Sequence, residues 1–321
     1  MEDTRPRLFR RHPDNPILTA HQWPYFVNTV FNAGATKLSS GETLLLCRVE
    51  DCTGLSHLCA ARSTDGVTDW RIDETPTVPA DPKHFPGEHW GIEDPRIVWV
   101  PELAKYAVTY TAYSLRGPGV SLALTEDFRT FHRLGMIFAP ENKDAALLPR
   151  KIGGRWAMIH RPVPAGGDAH IWMSFSPELK HWGDHTPVLH ARRGGWWDAR
   201  KIGLSAPLVE TPGGWLMIYH GVRQTASGSI YRLGLALFDL EDPTKCLLRG
   251  TKWIMGPEAE YERTGDVRDV VFPCGYTLGD DGDTINLYYG AADTCMALAT
   301  GRVSELLAWL RANSTPGGAE D

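Results

Sequence analysis

The chain is 321 residues long, which fits one large domain or two ordinary ones. Its 33 basic and 39 acidic residues give a formal net charge of −6, which excludes the strongly basic surface of a typical nucleic-acid-binding protein. No stretch approaches the roughly eighteen consecutive apolar residues of a membrane span. The first thirty residues do not resemble a signal peptide, and the six cysteines match no zinc pattern or disulfide framework. We therefore expect a cytoplasmic protein with reduced thiols, no bound metal, and no nucleic-acid or membrane partner.

Segments with the composition of β-strands recur along the chain in groups of three. The first segment of each group is short and carries polar residues, at 32–35, 93–98, 144–148, 205–209 and 269–273. The second is rich in β-branched and aromatic residues, at 43–49, 106–113, 155–160, 214–222 and 284–289. The third follows after a turn, at 57–63, 120–125, 169–175, 232–238 and 294–300. Five such groups account for nearly the whole chain.

Five repeats of one strand order, with no helical stretch between them, predict an all-β fold, a five-bladed β-propeller. A β-sandwich also contains many short strands, but it would not repeat their order five times. One short amphipathic helix is predicted near the C-terminus at Val303–Ala312, where Leu306, Leu307 and Leu310 share a face. We treat 1–321 as a single propeller domain, with segment 1–15 and a frayed tail at 313–321 peripheral to it.

The innermost strand of each blade borders the central channel of a propeller, and here those strands carry polar residues. They are Asn32, Asp94, Arg96, Asp144 and Asp269. Burying such groups without partners is costly, so their recurrence predicts a polar pocket on the axis. This prediction depends on the assumed order of strands within the blades.

The string Gly91-Ile92-Glu93-Asp94-Pro95-Arg96-Ile97 is the most informative motif. It places two carboxylates and an arginine around a proline that fixes the local backbone. An arginine beside an aspartate orients the carboxylate and keeps it ionised. On composition alone, a structural salt bridge explains this string as well as a catalytic carboxylate does.

Charged residues also recur where the second strand of a blade ends, at Arg48, His160-Arg161, His220 and Asp293, and Lys201 precedes an innermost strand. If these ends converge on one face, their basic side chains would bind an anion such as phosphate. Each could instead be an independent, solvent-exposed strand end, but recurrence at one position in several blades favours an anion site. Phosphate-binding glycine loops, dinucleotide fingerprints and nucleophile elbows are absent from the sequence.

Several of these strings together resemble glycoside hydrolase family 130, the family of β-mannoside phosphorylases. They are the 91–96 string, Tyr110-Thr111-Ala112-Tyr113, His160-Arg161-Pro162, Lys201-Ile202-Gly203, the 214–221 string and Tyr289-Gly290-Ala291-Ala292-Asp293. The resemblance covers roughly residues 14 to 305, in the family's order. The family's five-bladed propeller agrees with the repeat count.

The resemblance implies an inverting phosphorolysis, in which a β-mannoside and inorganic phosphate give α-mannose 1-phosphate and a shortened acceptor. Asp94 matches the family's general acid, which is thought to pass its proton through the 3-hydroxyl of mannose. Arg161, Lys201 and His220 match the phosphate contacts, and Lys143 matches them less closely. Asn32, Arg48 and Asp293 match residues that hold the mannose, and Tyr231 is expected beside phosphate or the acceptor. Phosphate is a co-substrate here, so no cofactor is implied.

The resemblance also narrows the substrate and the assembly. The chain lacks the N-terminal extension of the family branch that acts on mannosyl-glucose, which leaves mannosyl-N-acetylglucosamine, β-1,4-mannooligosaccharides or β-1,2-mannosides. Acceptor choice depends on loops such as 165–168, 192–197 and 221–230. The pair Trp196-Trp197 is either a sugar platform or part of the core or an interface. Family relatives form dimers or hexamers, so a homo-oligomer is expected.

Two alternatives remain open at this point. A hydrolase of the same fold would release free mannose and would need a second carboxylate as the base, for which Asp144 or Asp269 can be nominated. A non-catalytic sugar-binding propeller would keep the aromatic residues but tolerate loss of Asp94 or of the basic cluster. The presence of both disfavours that second alternative.

Overall fold

The protein is a five-bladed β-propeller. The computed structural model describes residues 7–226 and 228–316. From the axis outward, blade 1 consists of Thr29–Lys37, Thr43–Glu50, Ser56–Ser63 and Arg71–Ile72. Blade 2 consists of Ile92–Val100, Lys105–Ser114, Gly117–Thr125 and Phe131–Phe138. Blade 3 consists of Asn142–Leu147, Trp156–Pro162, Ile171–Ser176 and Gly183–Leu189.

The last two blades recruit strands from the two ends of the chain. Blade 4 consists of Lys201–Leu204, Gly214–Thr225, Gly228–Phe238, Cys246–Gly250 and Ser314–Pro316, with Val209–Thr211 also paired to its second strand. Blade 5 consists of Val271–Leu278, Thr284–Ala291, Cys295–Arg302 and Arg10–Arg11. The α-helices are Glu260–Arg263 and Val303–Ala312, and short 3-10 turns lie at Ala20–Gln22, Pro86–Glu88 and Pro101–Leu103.

The repeat read from the sequence is confirmed in all five blades, but the innermost strand of blade 4 was misplaced. The sequence predicted it at 205–209, whereas the strand next to the axis is Lys201–Leu204. Pro207 has no N–H to donate to a ladder, and the chain leaves the sheet around it before re-pairing at Val209–Thr211. Lys201 therefore lies within an innermost strand and does not merely precede one.

The chain ends are more closely integrated than the sequence predicted. Arg10–Arg11 pairs with Cys295–Arg302 and closes the ring, so segment 1–15 is not wholly peripheral. Arg11 Nε lies 2.6 Å from Oε1 of Glu262, whose side chain is fully buried. Ser314–Pro316 pairs with Cys246–Gly250, which contradicts a frayed tail over those residues. Residues 1–6 and 317–321 lie outside the described part of the chain.

Apolar side chains fill the space between adjacent blades. Leu46 of blade 1 and Val108 of blade 2 belong to one buried cluster, and burial of each such side chain contributes about 1.5–3 kcal/mol. The helix predicted at Val303–Ala312 is confirmed, and its Leu306 and Leu310 are fully buried against blades 4 and 5. No helix within residues 7–226 and 228–316 is long and apolar enough to cross a membrane.

Three innermost strands contain a bulge at a polar residue. Asn32, Asp94 and Asp144 have φ values of 47°, 50° and 53°, and strand pairing changes register at each of them. Asn and Asp adopt this left-handed conformation more readily than other non-glycine residues. A bulge redirects a side chain, so the local sequence turns these three polar groups toward the axis.

Candidate active site

One end of the polar pocket is a cluster of carboxylates around Arg48. Asn32 Nδ2 donates to Asp94 Oδ1 at 2.9 Å, and Arg48 Nη1 lies 3.3 Å from that same oxygen. Arg48 Nη2 lies 3.2 Å from carboxylate oxygens of both Glu50 and Glu93. These four residues and Arg48 form what we call the acidic cluster. It holds Asp94 in one orientation beside the axis.

Asp94 of the acidic cluster and the neighbouring Asp293 differ in their pKa values. Burial opposes ionisation of Asp94, but Arg48, Lys143 and Arg96 together hold its pKa below the usual range. Burial and the charge of Asp94 raise the pKa of Asp293 to about 6. Two carboxyl groups with pKa values pushed apart are typical of acid–base sites.

The other end of the pocket is basic and is built around a single carboxylate. Asp144 Oδ2 lies 2.7 Å from Nε and from Nη2 of Arg161, and 3.6 Å from His220 Nε2. Its Oδ1 lies 3.3 Å from Arg96 Nη2. Burial disfavours the charged carboxylate, but Arg161, Arg96 and His220 hold the pKa of Asp144 far below its ordinary value. Asp144 is therefore a fixed counterion.

Two lysines complete what we call the basic cluster, together with Arg96, Asp144, Arg161 and His220. Lys201 Nζ donates to the Tyr231 hydroxyl at 3.0 Å. Burial and the neighbouring charges of Arg161 and Lys143 lower the pKa of Lys201 to about 8. Lys143 Nζ lies 3.9 Å from Glu93 Oε2, so this lysine stands between the two clusters.

Positive charge exceeds negative charge in the basic cluster. Four cationic side chains, from Arg96, Lys143, Arg161 and Lys201, surround the one carboxylate of Asp144. His220 is fully buried, and neither of its ring nitrogens has a hydrogen-bond partner among the described residues. Burial drives the pKa of His220 well below its usual value, so the neutral ring offers one donor. This arrangement is suited to a buried anion that also accepts hydrogen bonds.

Two candidates from the sequence, His160 and Asp269, lie outside this pocket. The structure brings together in it the other nine site residues, Asn32, Arg48, Asp94, Lys143, Arg161, Lys201, His220, Tyr231 and Asp293. His160 faces the interior of blade 3, where its ring nitrogens contact Asn142 and Ser174. Asp269 has a 40 % exposed side chain and lies 3.8 Å from Arg263, so it does not join the polar groups on the axis. With Asp269 apart and Asp144 bound by cations on both oxygens, neither carboxylate suits the role of a base that activates water.

The structure also adds contacts that sequence reasoning missed. Phe272 packs against the His220 ring with centroids 4.7 Å apart and covers one side of it. Arg96 donates to the backbone carbonyls of Leu204 and Ser205, each at 2.8 Å, which ties blade 2 to blade 4 across the axis. Phe272 lies in an apolar strand, and backbone carbonyls carry no sequence signal, so only the positions of the blades reveal these contacts.

No three His, Cys, Asp or Glu side chains are grouped as a potential metal site within residues 7–226 and 228–316.

Comparison with known proteins agrees with the family resemblance seen in the sequence. The model of glycoside hydrolase family 130, described as β-1,4-mannooligosaccharide phosphorylase, matches residues 14–312. A β-1,4-mannooligosaccharide phosphorylase from Ruminococcus albus is 33 % identical over 315 residues, covering 95 % of this chain and 91 % of that protein.

Two further similarities involve proteins from Listeria innocua. A β-1,2-mannobiose phosphorylase is 39 % identical over 256 residues, covering 79 % of this chain and 69 % of that protein. The solved structure of a β-1,2-mannobiose phosphorylase in complex with β-1,2-mannobiose has a TM-score of 0.86 and 32 % identity. That alignment covers 95 % of this chain and 99 % of the solved chain, so the two proteins share one fold over nearly their whole length.

Proposed function

The chain belongs to glycoside hydrolase family 130 and is a β-mannoside phosphorylase, and we propose that its two clusters divide the reaction between an acid and a bound phosphate. The observation that carries this proposal is the separation of charge across the pocket. Lys143, which belongs to the basic cluster, lies between Glu93 and Asp94 of the acidic cluster and Asp144 and Arg161 of the basic cluster. In this proposal the substrates are a β-mannoside and inorganic phosphate, and the reaction needs no cofactor.

The mannose unit binds at the acidic cluster. Asn32 Oδ1 is buried without a hydrogen-bond partner among the described residues, so it is available to a sugar hydroxyl. Arg48 and Asp293 supply further donors and acceptors for hydroxyl groups. Asn32 and Arg48 hold the Asp94 carboxyl group at the same place. We propose that it contacts a hydroxyl of the same sugar.

Phosphate binds at the basic cluster, with contacts from Lys143, Arg161, Lys201 and His220. One of its oxygens attacks C1 of mannose while the bond from C1 to the glycosidic oxygen breaks. The leaving oxygen takes the proton that Asp94 gives up, relayed by the 3-hydroxyl of mannose. Attack opposite the leaving group converts the β-linkage to an α-phosphate. Because phosphate is already a nucleophile, the scheme needs no second carboxylate as a base.

The depressed pKa of Asp94 gives phosphate a second role. Lys143 and Arg96 help to keep this carboxyl ionised in the free protein, and an ionised carboxylate cannot donate a proton. Phosphate bound against Lys143 offsets that positive charge and raises the pKa of Asp94. The acid is therefore protonated more readily when the nucleophile is in place, which couples protonation to productive binding.

The proposal also includes the cytoplasmic location and the homo-oligomer expected from the sequence. The following experiment identifies the linkage that the protein prefers. β-1,4-Mannooligosaccharides, β-1,4-mannosyl-N-acetylglucosamine and β-1,2-mannobiose are each incubated with the protein and phosphate, and mannose 1-phosphate is measured. We expect release from at least one of them, and the highest kcat/KM identifies the linkage. If none of the three substrates gives mannose 1-phosphate, the proposed substrate class is contradicted.

A further inference from the structure

Blade 4 carries a concentration of positive charge on a protein whose formal net charge is −6. Two adjoining cavities, of about 330 Å³ and about 700 Å³, have Arg223 in both of their walls. Six cationic side chains in these walls form no ion pair with a carboxylate of the described residues. They are Arg7, Arg193, Arg200, Arg223, Arg232 and Lys252. The carboxylates that the described walls contribute are Asp168 and Glu258, and Glu258 is already bound by Arg11 at 3.2 Å.

Three of these cations lie beside the basic cluster. Arg193, Arg200 and Arg223 line the smaller cavity, and we call them the arginine patch. Arg200 directly precedes Lys201, and Arg223 directly follows Val222, the ladder partner of Lys201. Neighbouring strands lie about 5 Å apart and advance about 3.3 Å per residue. The backbone of Arg200 and of Arg223 therefore lies within about 10 Å of the backbone of Lys201.

The arginine patch lies outside the basic cluster. Val222 pairs with both Lys201 and Tyr231 and shares their sheet face, and successive side chains of a strand alternate between faces. Arg223 therefore points to the opposite face of blade 4. All three arginines are exposed, and the smaller cavity shares no lining residue with the basic cluster among the described residues. The patch can therefore act on phosphate through its electric field but not by direct contact.

The neighbouring charges leave this field positive. In the smaller cavity one carboxylate, that of Asp168, stands against three guanidinium groups. Arg232 lies close enough to Arg223 for their repulsion to add to the effect of burial, and together these lower the pKa of Arg232 although Asp269 opposes the shift. Positive charge at the patch is therefore reinforced from the neighbouring cavity.

Such a field distinguishes the two substrates of the reaction. Exposed charges of one sign raise the local concentration and the arrival rate of a substrate of opposite charge. For a phosphate dianion about 10 Å from one guanidinium group, Coulomb's law in water gives about a fourfold increase in local concentration. The mannoside is uncharged and gains nothing. Because phosphate attacks opposite the leaving group, the acceptor sugar departs on the other side of mannose from this patch.

We propose that the arginine patch attracts inorganic phosphate to this side of the pocket and directs it to Lys201 and the rest of the basic cluster. The inference rests on the proposed function, because it concerns the delivery of the nucleophile of that reaction. It assigns a role in phosphate capture to three residues that do not touch the reacting atoms.

The test replaces all three arginines of the patch with glutamine and measures kcat/KM for phosphate at two ionic strengths. At about 0.01 M, where the Debye length is about 30 Å, we expect kcat/KM for phosphate to fall about tenfold relative to wild type. At about 1 M, where the Debye length is about 3 Å, the fall should be less than about twofold. KM for the mannoside at saturating phosphate should not change at either ionic strength.

The matched control is a second triple variant, in which Arg71, Arg129 and Arg155 are replaced with glutamine. These residues are also exposed, so the variant loses the same charge from other blades. Arg155 precedes the strand whose far end carries Arg161, about 20 Å away at about 3.3 Å per residue. We expect this variant to keep kcat/KM for phosphate within about twofold of wild type at both ionic strengths.

An equal loss at both ionic strengths, no loss at the lower one, or an equal loss in the control variant would overturn the proposal. Phosphate binding, measured by calorimetry, gives a readout that does not depend on turnover. If wild type forms no mannose 1-phosphate but binds phosphate about tenfold more tightly than the patch variant at low ionic strength only, the proposed function fails and the role of the patch stands. Equal phosphate binding by the two proteins at low ionic strength would remove that role.

Discussion

The lowered pKa of Lys201 predicts a specific loss of phosphate affinity at alkaline pH. A pKa of about 8 leaves the ammonium group about nine tenths charged at pH 7 and about one tenth charged at pH 9. If the charged lysine is needed to hold phosphate, KM for phosphate rises about tenfold over this range, equivalent to about 1.4 kcal/mol of binding free energy. KM for the mannoside, which binds at the acidic cluster, should change much less.

The assay measures initial rates of mannose 1-phosphate formation against phosphate concentration from pH 6.5 to 9.5. Lys201→Arg is the control, because guanidinium stays charged throughout and experiences the same change in phosphate ionisation. The ratio of KM for phosphate between wild type and this variant should rise about tenfold between pH 7 and pH 9. A constant ratio would refute the assignment of Lys201 as a charged phosphate ligand.

Three further predictions concern the acid, a buried charge and the closure of the ring. Asp94→Asn should lower kcat about a thousandfold or more, because the amide cannot give up a proton, while circular dichroism shows an intact fold. Asp293→Asn should raise the free energy of unfolding in urea by about 2 kcal/mol at pH 8 and by much less at pH 4. The folded pKa of about 6 lies above the unfolded value, so ionisation of Asp293 costs stability increasingly as pH rises between them. Arg11→Ala should lower the free energy of unfolding by about 2–3 kcal/mol, because it leaves the buried Glu262 carboxylate without its cation.

Each of these predictions has a control or a contradictory result. Full activity of Asp94→Asn would remove this residue from the acid role. A stabilisation by Asp293→Asn that is the same at pH 4 and pH 8 would show that it does not arise from the carboxylate charge. Arg10→Ala changes an exposed residue of the same short strand, and a loss as large as that of Arg11→Ala would point to the strand rather than to the ion pair.

The repeat of polar innermost strands allowed the fold and much of the site to be predicted from the sequence. Asn32, Asp94 and Asp144 recur at equivalent bulges, and such a bulge favours residues that tolerate a left-handed backbone. The ladder partners of these strands likewise place Arg48 and Arg161 at equivalent positions. Periodicity was sufficient here because each blade repeats the same local structure.

Features that depend on contacts between distant segments were not predictable. His160 and Arg161 are adjacent on one strand, so their side chains point to opposite faces, and only the register places Arg161 in the pocket. The strand Ser314–Pro316 is too short for a periodic pattern and forms because an edge of blade 4 is available. Of the pair Trp196-Trp197, Trp197 is buried and stacks on Tyr219 of another strand, whereas Trp196 is 38 % exposed, and nothing in the sequence distinguishes the two.

The central claim is that bound phosphate, rather than water, attacks C1 of mannose. The most direct measurement follows the products by NMR, with the preferred β-mannoside at saturating phosphate and again without phosphate. The account predicts α-mannose 1-phosphate as the initial product when phosphate is present, and negligible cleavage when it is absent. Free mannose released at the same rate under both conditions would contradict the account.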